Sequence, residues 1–94
     1  MENYFNDVVN RLRIEELDIL AHLCQNEADA PFKSIKGTDV MDLVQMSKSK
    51  YFRSLDRLKA LYFVDFIESG RSQKLFITHY GIEALNQSLK GVTE

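Results

Sequence analysis

The chain has 94 residues, a length that suits one compact domain with a modest core and leaves little room for a second. Its composition is that of an ordinary globular protein, and its single cysteine excludes an internal disulfide. No apolar run approaches the ~18 residues that span a bilayer, and no signal-peptide pattern opens the chain, so we expect a cytoplasmic protein.

The formal net charge of −2 is unevenly distributed along the chain. Residues 47–74 carry seven Lys and Arg against three Asp and Glu, which gives +4, whereas the remainder carries five bases and eleven acids, which gives −6. A basic segment on an acidic body orients a protein towards phosphate. A run of charge is also often only a solvated face, so the asymmetry alone leaves both interpretations open.

The first half of the chain predicts three helices. Apolar residues at helical spacing predict one amphipathic helix near residues 3–12, and a change of phase predicts a second near 14–26, with acids in its first turn. A polar loop follows over residues 26–31. Residues 32–34 then form a short extended candidate, and the next apolar pattern predicts a short helix near 36–45.

Residues 47–64 form the most informative segment. Ser47 is a predicted N-cap, because its hydroxyl can accept a hydrogen bond from an amide of the first helical turn. Apolar residues at helical spacing then predict a buried stripe, formed by Tyr51, Leu55, Leu58 and Tyr62, with Phe52 at its edge. The polar residues of a second side fall within an arc of about 100°. They are Lys50, Arg53, Ser54 and Arg57. A helix with one apolar side and one basic side is suited to lie against a polyanion.

The last third of the chain predicts a hairpin and a helix. Residues 62–67 and 75–78 are aromatic and β-branched, and residues 68–73 between them have turn chemistry with one glycine. Thr78 is a predicted N-cap for a helix over 80–89, and Gly91 is its predicted stop.

Four apolar patterns follow one another along residues 12–89. They are Leu12-x4-Leu17-x-Ile19-Leu20-x2-Leu23, Ile35-x4-Val40-Met41-x2-Val44-x-Met46-Ser47, Tyr51-Phe52-x2-Leu55-x-Arg57-Leu58-x4-Phe63-Val64 and Leu75-x-Ile77-Thr78-x2-Gly81. In this order they resemble the winged helix-turn-helix fold of bacterial transcription regulators, with the MarR and PadR types as the nearest likeness. One departure is Tyr62, which stands where those families usually have glycine.

The resemblance implies an α+β, mostly α, chain that forms a single winged-helix domain over residues 1–94. Residues 1–12 would be an N-terminal helix. Residues 13–90 would form the core, with three helices, a β-hairpin wing and a C-terminal helix.

The resemblance also implies a sequence-specific, repressor-like regulator of transcription that binds double-stranded DNA. The helix from Ser47 would enter the major groove, and the wing would contact the backbone or the minor groove. The implied DNA contacts are Ser47, Lys48, Ser49, Lys50, Arg53, Ser54 and Arg57 in the helix and Arg71, Ser72 and Lys74 in the wing. Arg53 and Arg57 could each bind guanine or clamp phosphate. The alternatives are a solvated helix face and a plain polar turn.

The N-terminal stripe of apolar residues has two interpretations. It comprises Tyr4, Phe5, Val8, Val9 and Leu12. It could form a homodimer interface, since two-fold regulators read half-sites about one helical turn apart, or it could fold back on its own core. We expect the dimer, because the chain offers little other material for one.

Other functions with the same fold remain open. The winged helix could be a protein–protein interaction module, with the acidic body binding a basic partner, or a plasmid or phage replication or segregation protein. We expect no enzyme, because the chain lacks a glycine-rich phosphate loop and neither histidine has a nucleophile at a recognisable spacing. We also expect no metal or other cofactor: His22 and Cys24 point to different sides of a helix, with Cys24 buried. The sequence identifies no small-molecule effector.

Overall fold

A computed structural model describes the backbone over residues 2–69 and 72–93 and the side chains of residue 5 and of residues 7–68 and 73–88. The elements in chain order are helix α1 (Glu2–Asn10), helix α2 (Ile14–Gln25), a 3₁₀ turn (Pro31–Lys33), strand β1 (Ile35–Lys36), helix α3 (Gly37–Val44), helix α4 (Lys48–Ala60), strand β2 (Val64–Ser69), strand β3 (Ser72–Ile77) and helix α5 (His79–Thr93). This order confirms the predicted winged-helix architecture.

The three strands form an antiparallel sheet in the order β1-β3-β2. Residues Ile35 and Leu75 are partners between β1 and β3, and β2 pairs with β3 from Val64 opposite Ile77 out to Ser69 opposite Ser72. The predicted six-residue turn over 68–73 is therefore wrong in length. Most of those residues continue the ladder, because the register set at the base of the hairpin places them opposite one another.

The extended segment predicted at 32–34 is also displaced. Pro31 opens a 3₁₀ turn, since its ring presets a helical φ, and the Ser34 hydroxyl donates to the Pro31 carbonyl at 2.8 Å. The strand begins one residue later, at Ile35.

Helix α2 lies at the centre of the fold, where it packs against α3, α4, α5 and β3. Its buried face carries Ile19, Leu20 and Leu23, which meet buried side chains from each of those elements. Cys24 was predicted to be buried and is exposed, because it lies about 100° around the helix from Leu23. In the described part of the chain, no helix has both the length and the apolar character needed to cross a membrane.

Helix α4 ends without glycine. Tyr62 adopts a left-handed φ of 62°, the Phe63 amide donates to the Leu58 carbonyl at 3.0 Å, and the Tyr62 amide donates to the Lys59 carbonyl at 3.0 Å. This pair of bonds is a Schellman motif. The conformation turns the Tyr62 side chain outward, where it is 54% exposed, so its predicted place in the buried stripe is wrong. Glu27 and Gln45 are also left-handed, just after α2 and α3.

Thr78 joins α5 to the end of α4. Its hydroxyl accepts from the Gly81 amide at 3.1 Å, which confirms the predicted N-cap, and donates to the Tyr62 carbonyl at 2.6 Å. A Cβ atom on Gly81 would overlap the Phe63 carbonyl, so the approach of α5 to this segment requires glycine. The helix continues to Thr93 and is not stopped at Gly91.

Candidate nucleic-acid interface

The N-terminus of α4 is solvent-exposed and capped as predicted. The Ser47 hydroxyl accepts a hydrogen bond from the Lys50 amide at 3.4 Å, and Ser47, Lys48, Ser49 and Lys50 are all exposed. Helix α3 precedes it, with Val40 and Val44 buried against the core. The two helices and the intervening residues thus form a helix-turn-helix that presents the start of α4 to solvent.

The opposite side of α4 is anchored in the core. Tyr51, Leu55 and Leu58 are buried, as predicted. The Tyr51 hydroxyl donates to the Gly37 carbonyl at 2.9 Å and so ties α4 to the start of α3. Burial raises the pKa of Tyr51 to about 12. Phe52, predicted at the edge of the stripe, packs its ring edge-on against Tyr51 with a centroid distance of 5.2 Å.

Ser54 lies on the buried side of α4 and not on its basic front. Its exposed fraction is 9%, which leaves little surface for the predicted contact with DNA. The spacing gives the reason: positions 51, 54, 55 and 58 follow the i, i+3, i+4, i+7 pattern of one helix face. The hydroxyl of Ser54 predicts a polar position, and the helical spacing predicts a buried one.

Three cations on the exposed front have no acidic partner. Lys48, Lys50 and Arg53 are exposed, and none of them forms an ion pair with a carboxylate of the described residues. Together with the hydroxyls of Ser47 and Ser49, they form a surface of hydrogen-bond donors, which we call the basic front.

Arg57 contacts the protein itself. Its Nε lies 3.0 Å from Oε2 of Glu16, a carboxylate on α2 that is 1% exposed, and its Nη2 donates to the Arg11 carbonyl at 3.3 Å. The other Glu16 oxygen accepts from the Arg13 amide at 2.7 Å, which caps the start of α2. The contact with Oε2 is an ion pair without an aligned hydrogen bond, as that oxygen has no aligned donor among the described residues. Arg57 remains 41% exposed.

The burial of Glu16 was not predicted above, although its position in the sequence indicates it. Glu16 precedes Ile19, Leu20 and Leu23 at the spacing of one helix face. A carboxylate in such a stripe must find a cation, because an unpaired charge in the core is costly. Residues 47–74 carry the chain's excess of positive charge, so a cation of that segment is the expected partner of Glu16.

The wing is docked on α4 near its C-terminal end. Lys59 donates to the Gln73 amide oxygen at 3.0 Å, and its Nζ lies 4.5 Å from the centroid of the Phe66 ring. Lys74 is half-buried on β3, directly opposite Lys36 of β1, a cation that the sequence analysis did not single out. Arg71 lies outside the described residues, as does the side chain of Ser72.

The described side chains of the N-terminal stripe pack at least partly on the protein's own core, and the homodimer interface stays a prediction. Val9 is 4% exposed, and the Phe5 ring lies edge-on to Phe63 with a centroid distance of 6.0 Å. Val8 and Leu12 are partly buried against the same core. The side chain of Tyr4 lies outside the described ones.

Neither histidine belongs to a metal-binding group. His22 contacts the Asp18 carboxylate at 3.2 Å, and His79 contacts Glu83 at 3.0 Å, both along their own helices. Across the described residues, no three His, Cys, Asp or Glu side chains are grouped so that they could hold a metal ion.

Known proteins share both the sequence and the fold. The DNA-binding protein TubR from Priestia megaterium (strain ATCC 12872 / QMB1551) is 37% identical over 89 residues, which cover 95% of this chain and 88% of that protein. The solved structure of TubR from Bacillus megaterium pBM400 matches with a TM-score of 0.88 at 37% identity, over 93% of this chain and 97% of that chain. No protein-family model matches the chain.

Two more distant structures share the fold alone. The PcaV transcriptional regulator from Streptomyces coelicolor matches with a TM-score of 0.75 at 16% identity, over 89% of this chain and 60% of that chain. A mutant of a type III plasmid segregation TubR matches with a TM-score of 0.73 at 17% identity, over 96% of this chain and 94% of that chain. The winged-helix likeness is thus confirmed, whereas the MarR or PadR type is not.

Proposed function

The chain belongs to the TubR family of DNA-binding proteins, and we propose that it binds double-stranded DNA with α4 in the major groove. The wing would contact the backbone or the minor groove through Lys74 and the residues predicted at its tip, Arg71 and Ser72. Such a protein works where the DNA is, so we place it in the cytoplasm. No catalytic activity is part of this proposal.

The observation that carries the proposal is the basic front, whose cations form no ion pair within the described part of the chain. Lys48, Lys50 and Arg53 lie in solvent at the exposed end of a helix whose back is fixed in the core. Free cations on a rigid helix are available for phosphates, and a guanidinium at this position can bind guanine O6 and N7 in a bidentate way. Ser47 and Ser49 add hydroxyl donors to phosphate or base edges.

Arg53→Ala tests this assignment against a control that removes an equal charge elsewhere. The control is Arg11→Ala, since Arg11 is exposed on the linker between α1 and α2. Binding to a duplex selected from a random pool would be followed by fluorescence anisotropy across a salt series. We expect Arg53→Ala to cost about 1–3 kcal/mol of binding free energy, with relaxed sequence preference if the contact is to a base. The control should remain near wild type.

The salt series also separates DNA binding from the alternative of a protein-interaction module. Binding through several phosphates makes log affinity fall steeply with log salt concentration. A flat salt response, or no binding to any duplex at low salt, would contradict the proposal and favour a protein partner.

We propose two biological roles for this binding, repression of transcription and plasmid segregation. The second is supported by a segregation TubR that shares the fold. Loss of a plasmid on deletion of the gene, without altered transcription from the bound site, would favour segregation. A homodimer is part of both roles, since two-fold proteins read paired half-sites, and the titration would show it as two chains per site. The proposed interface of this homodimer is the N-terminal stripe, of which Phe5, Val8 and Leu12 are only partly buried against the core.

A further inference from the structure

We infer that a cavity between α2 and α4 receives one backbone phosphate of bound DNA, with Arg13 as a contact that lies outside the helix-turn-helix. This inference rests on the proposed function and adds a site to it. The cavity has a volume of about 120 Å³ and is lined by Arg13, Glu16, Arg53, Ser54 and Arg57.

The charge of the cavity favours an anion. Three guanidinium groups and one carboxylate line it, which gives a formal charge of +2. Arg57 neutralises Glu16 across 3.0 Å, so Arg13 and Arg53 supply the surplus. Neither of these two forms an ion pair within the part of the chain that the structure describes. A concave site with unpaired guanidinium groups suits a phosphate, whose oxygens accept bidentate bonds from arginine.

An arginine at position 13 is unfavourable for the stability of α2. It is the N-cap of α2, where Ser, Thr, Asp and Asn are favoured because their side chains cap the helix, and its own side chain makes no capping bond. Its positive charge also opposes the helix dipole at this end. The capping is done by its backbone, whose amide donates to Glu16. The side chain therefore contributes little to the fold and is free to bind a ligand.

The cavity is continuous with the basic front, because both include Arg53. Arg53 and Arg57 lie one turn apart on α4, so a strand of DNA that passes over the front would bring a phosphate to the cavity mouth. Glu16 acts here as a positioning residue. It holds the Nε edge of Arg57, and the Arg11 carbonyl holds Nη2, so the remaining N–H groups have a fixed direction.

The test compares Arg13→Gln with Arg11→Gln. The two arginines lie two residues apart in the same exposed linker, and only Arg13 lines the cavity. Both substitutions remove one charge and keep the backbone groups that contact Glu16 and Arg57, so both proteins should fold. A thermal melt without DNA would verify this.

We expect Arg13→Gln to lower the salt slope of duplex binding by about 0.9, the loss of one phosphate contact, equally for selected and unselected sequences. With this change of slope, the ratio of wild-type affinity to Arg13→Gln affinity should be about eightfold larger at 0.1 M salt than at 1 M salt. Arg11→Gln should leave the slope unchanged.

A second measurement locates the phosphate. Duplexes with one neutral methylphosphonate linkage at each position in turn should show a position at which Arg13→Gln loses clearly less affinity than the wild type, because one of the cations facing that phosphate is already gone. The phosphate site is excluded, while DNA binding stands, if Arg13→Gln and Arg11→Gln have the same salt slope. It is also excluded if the wild type and Arg13→Gln lose the same affinity at every linkage. If the wild type binds no duplex, the proposed function fails, and this inference fails with it.

Discussion

The two halves of α4 carry similar cations and use them differently. In the first half, Lys48, Lys50 and Arg53 face solvent and form no ion pair with any described carboxylate. In the second half, Arg57 pairs with buried Glu16, and Lys59 contacts the wing. Net charge alone therefore does not identify a contact surface. What distinguishes the halves is whether an acceptor of the same chain lies within reach of each cation.

The difference follows from where the helix crosses the rest of the fold. The second half of α4 passes over the start of α2 and the hairpin, so its side chains meet Glu16 and Gln73. The first half lies beside α3, with which it shares the bond from Tyr51 to Gly37, and its Arg53 lines the cavity beside α2 without an ion pair to Glu16 in the described residues. Desolvation of Glu16 makes its pairing with Arg57 necessary to the fold.

Arg57→Ala tests the difference between the two halves of α4 most strongly and should have the largest effect on the free energy of unfolding. It leaves the Glu16 carboxylate buried without a cation, which should cost about 2–4 kcal/mol of unfolding free energy, below the full ~3–5 kcal/mol because Arg57 is partly exposed. Urea denaturation would measure this. Arg53→Ala is the matched control on the same helix and should stay within about 0.5 kcal/mol of wild type. Equal losses in the two variants would show that the halves do not differ.

Tyr51→Phe tests how strongly the first half of α4 is anchored to α3. Loss of the bond to the Gly37 carbonyl should cost about 1 kcal/mol of unfolding free energy near pH 7, measured by urea denaturation. The variant should retain DNA affinity once folded, because the hydroxyl points into the protein.

The same side chain predicts an alkaline limit. The folded pKa of about 12 lies above the ordinary value of 10.0, so the neutral form is favoured in the folded state. The stability this gives is fully present below pH 10 and is lost as pH rises towards 12. Tyr51→Phe should lack this loss, and an unchanged alkaline midpoint would contradict the assignment.

Ser47→Ala should have the smallest effect. The hydroxyl accepts from Lys50 across a long 3.4 Å, so its loss should cost about 0.5 kcal/mol, the lower end of the range for N-caps. DNA affinity should fall too if the hydroxyl also contacts phosphate. Ser49→Ala serves as control, since it removes a neighbouring hydroxyl that caps nothing. Greater destabilisation by the control would contradict the capping assignment.

Local chemistry predicted most of the elements. The cap at Ser47, the start of α5 at Thr78 and the apolar periods needed only neighbouring residues. The errors arose where a distant partner decides the outcome. Tyr62 continues a helical period, yet the chain leaves the helix before it because α5 docks through Thr78. Arg57 resembles Arg53 in sequence, and only the packing of α2 on α4 brings Glu16 to one of them.

The candidate site was predicted in part. The exposed serines and cations from Ser47 to Arg53 follow from helical geometry, and the structure places them as expected. Ser54 lies on the buried side of α4, because position 54 belongs to the 51, 54, 55, 58 pattern of one helix face. Arg13 and Lys36 were missed because they come from other elements, and only the tertiary fold brings Arg13 to the cavity beside α4.

The left-handed residues that follow three successive helices bear on how this protein tolerates heat. Glu27, Gln45 and Tyr62 each hold a conformation that costs a residue with a Cβ atom about 1–2 kcal/mol. Substitution of each residue by glycine would remove this conformational cost. Part of the gain in unfolding free energy would be lost again, because glycine increases the conformational entropy of the unfolded chain. None of the three lies in the basic front, so the melting temperature could be adjusted by selection or design without a change in the surface offered to DNA.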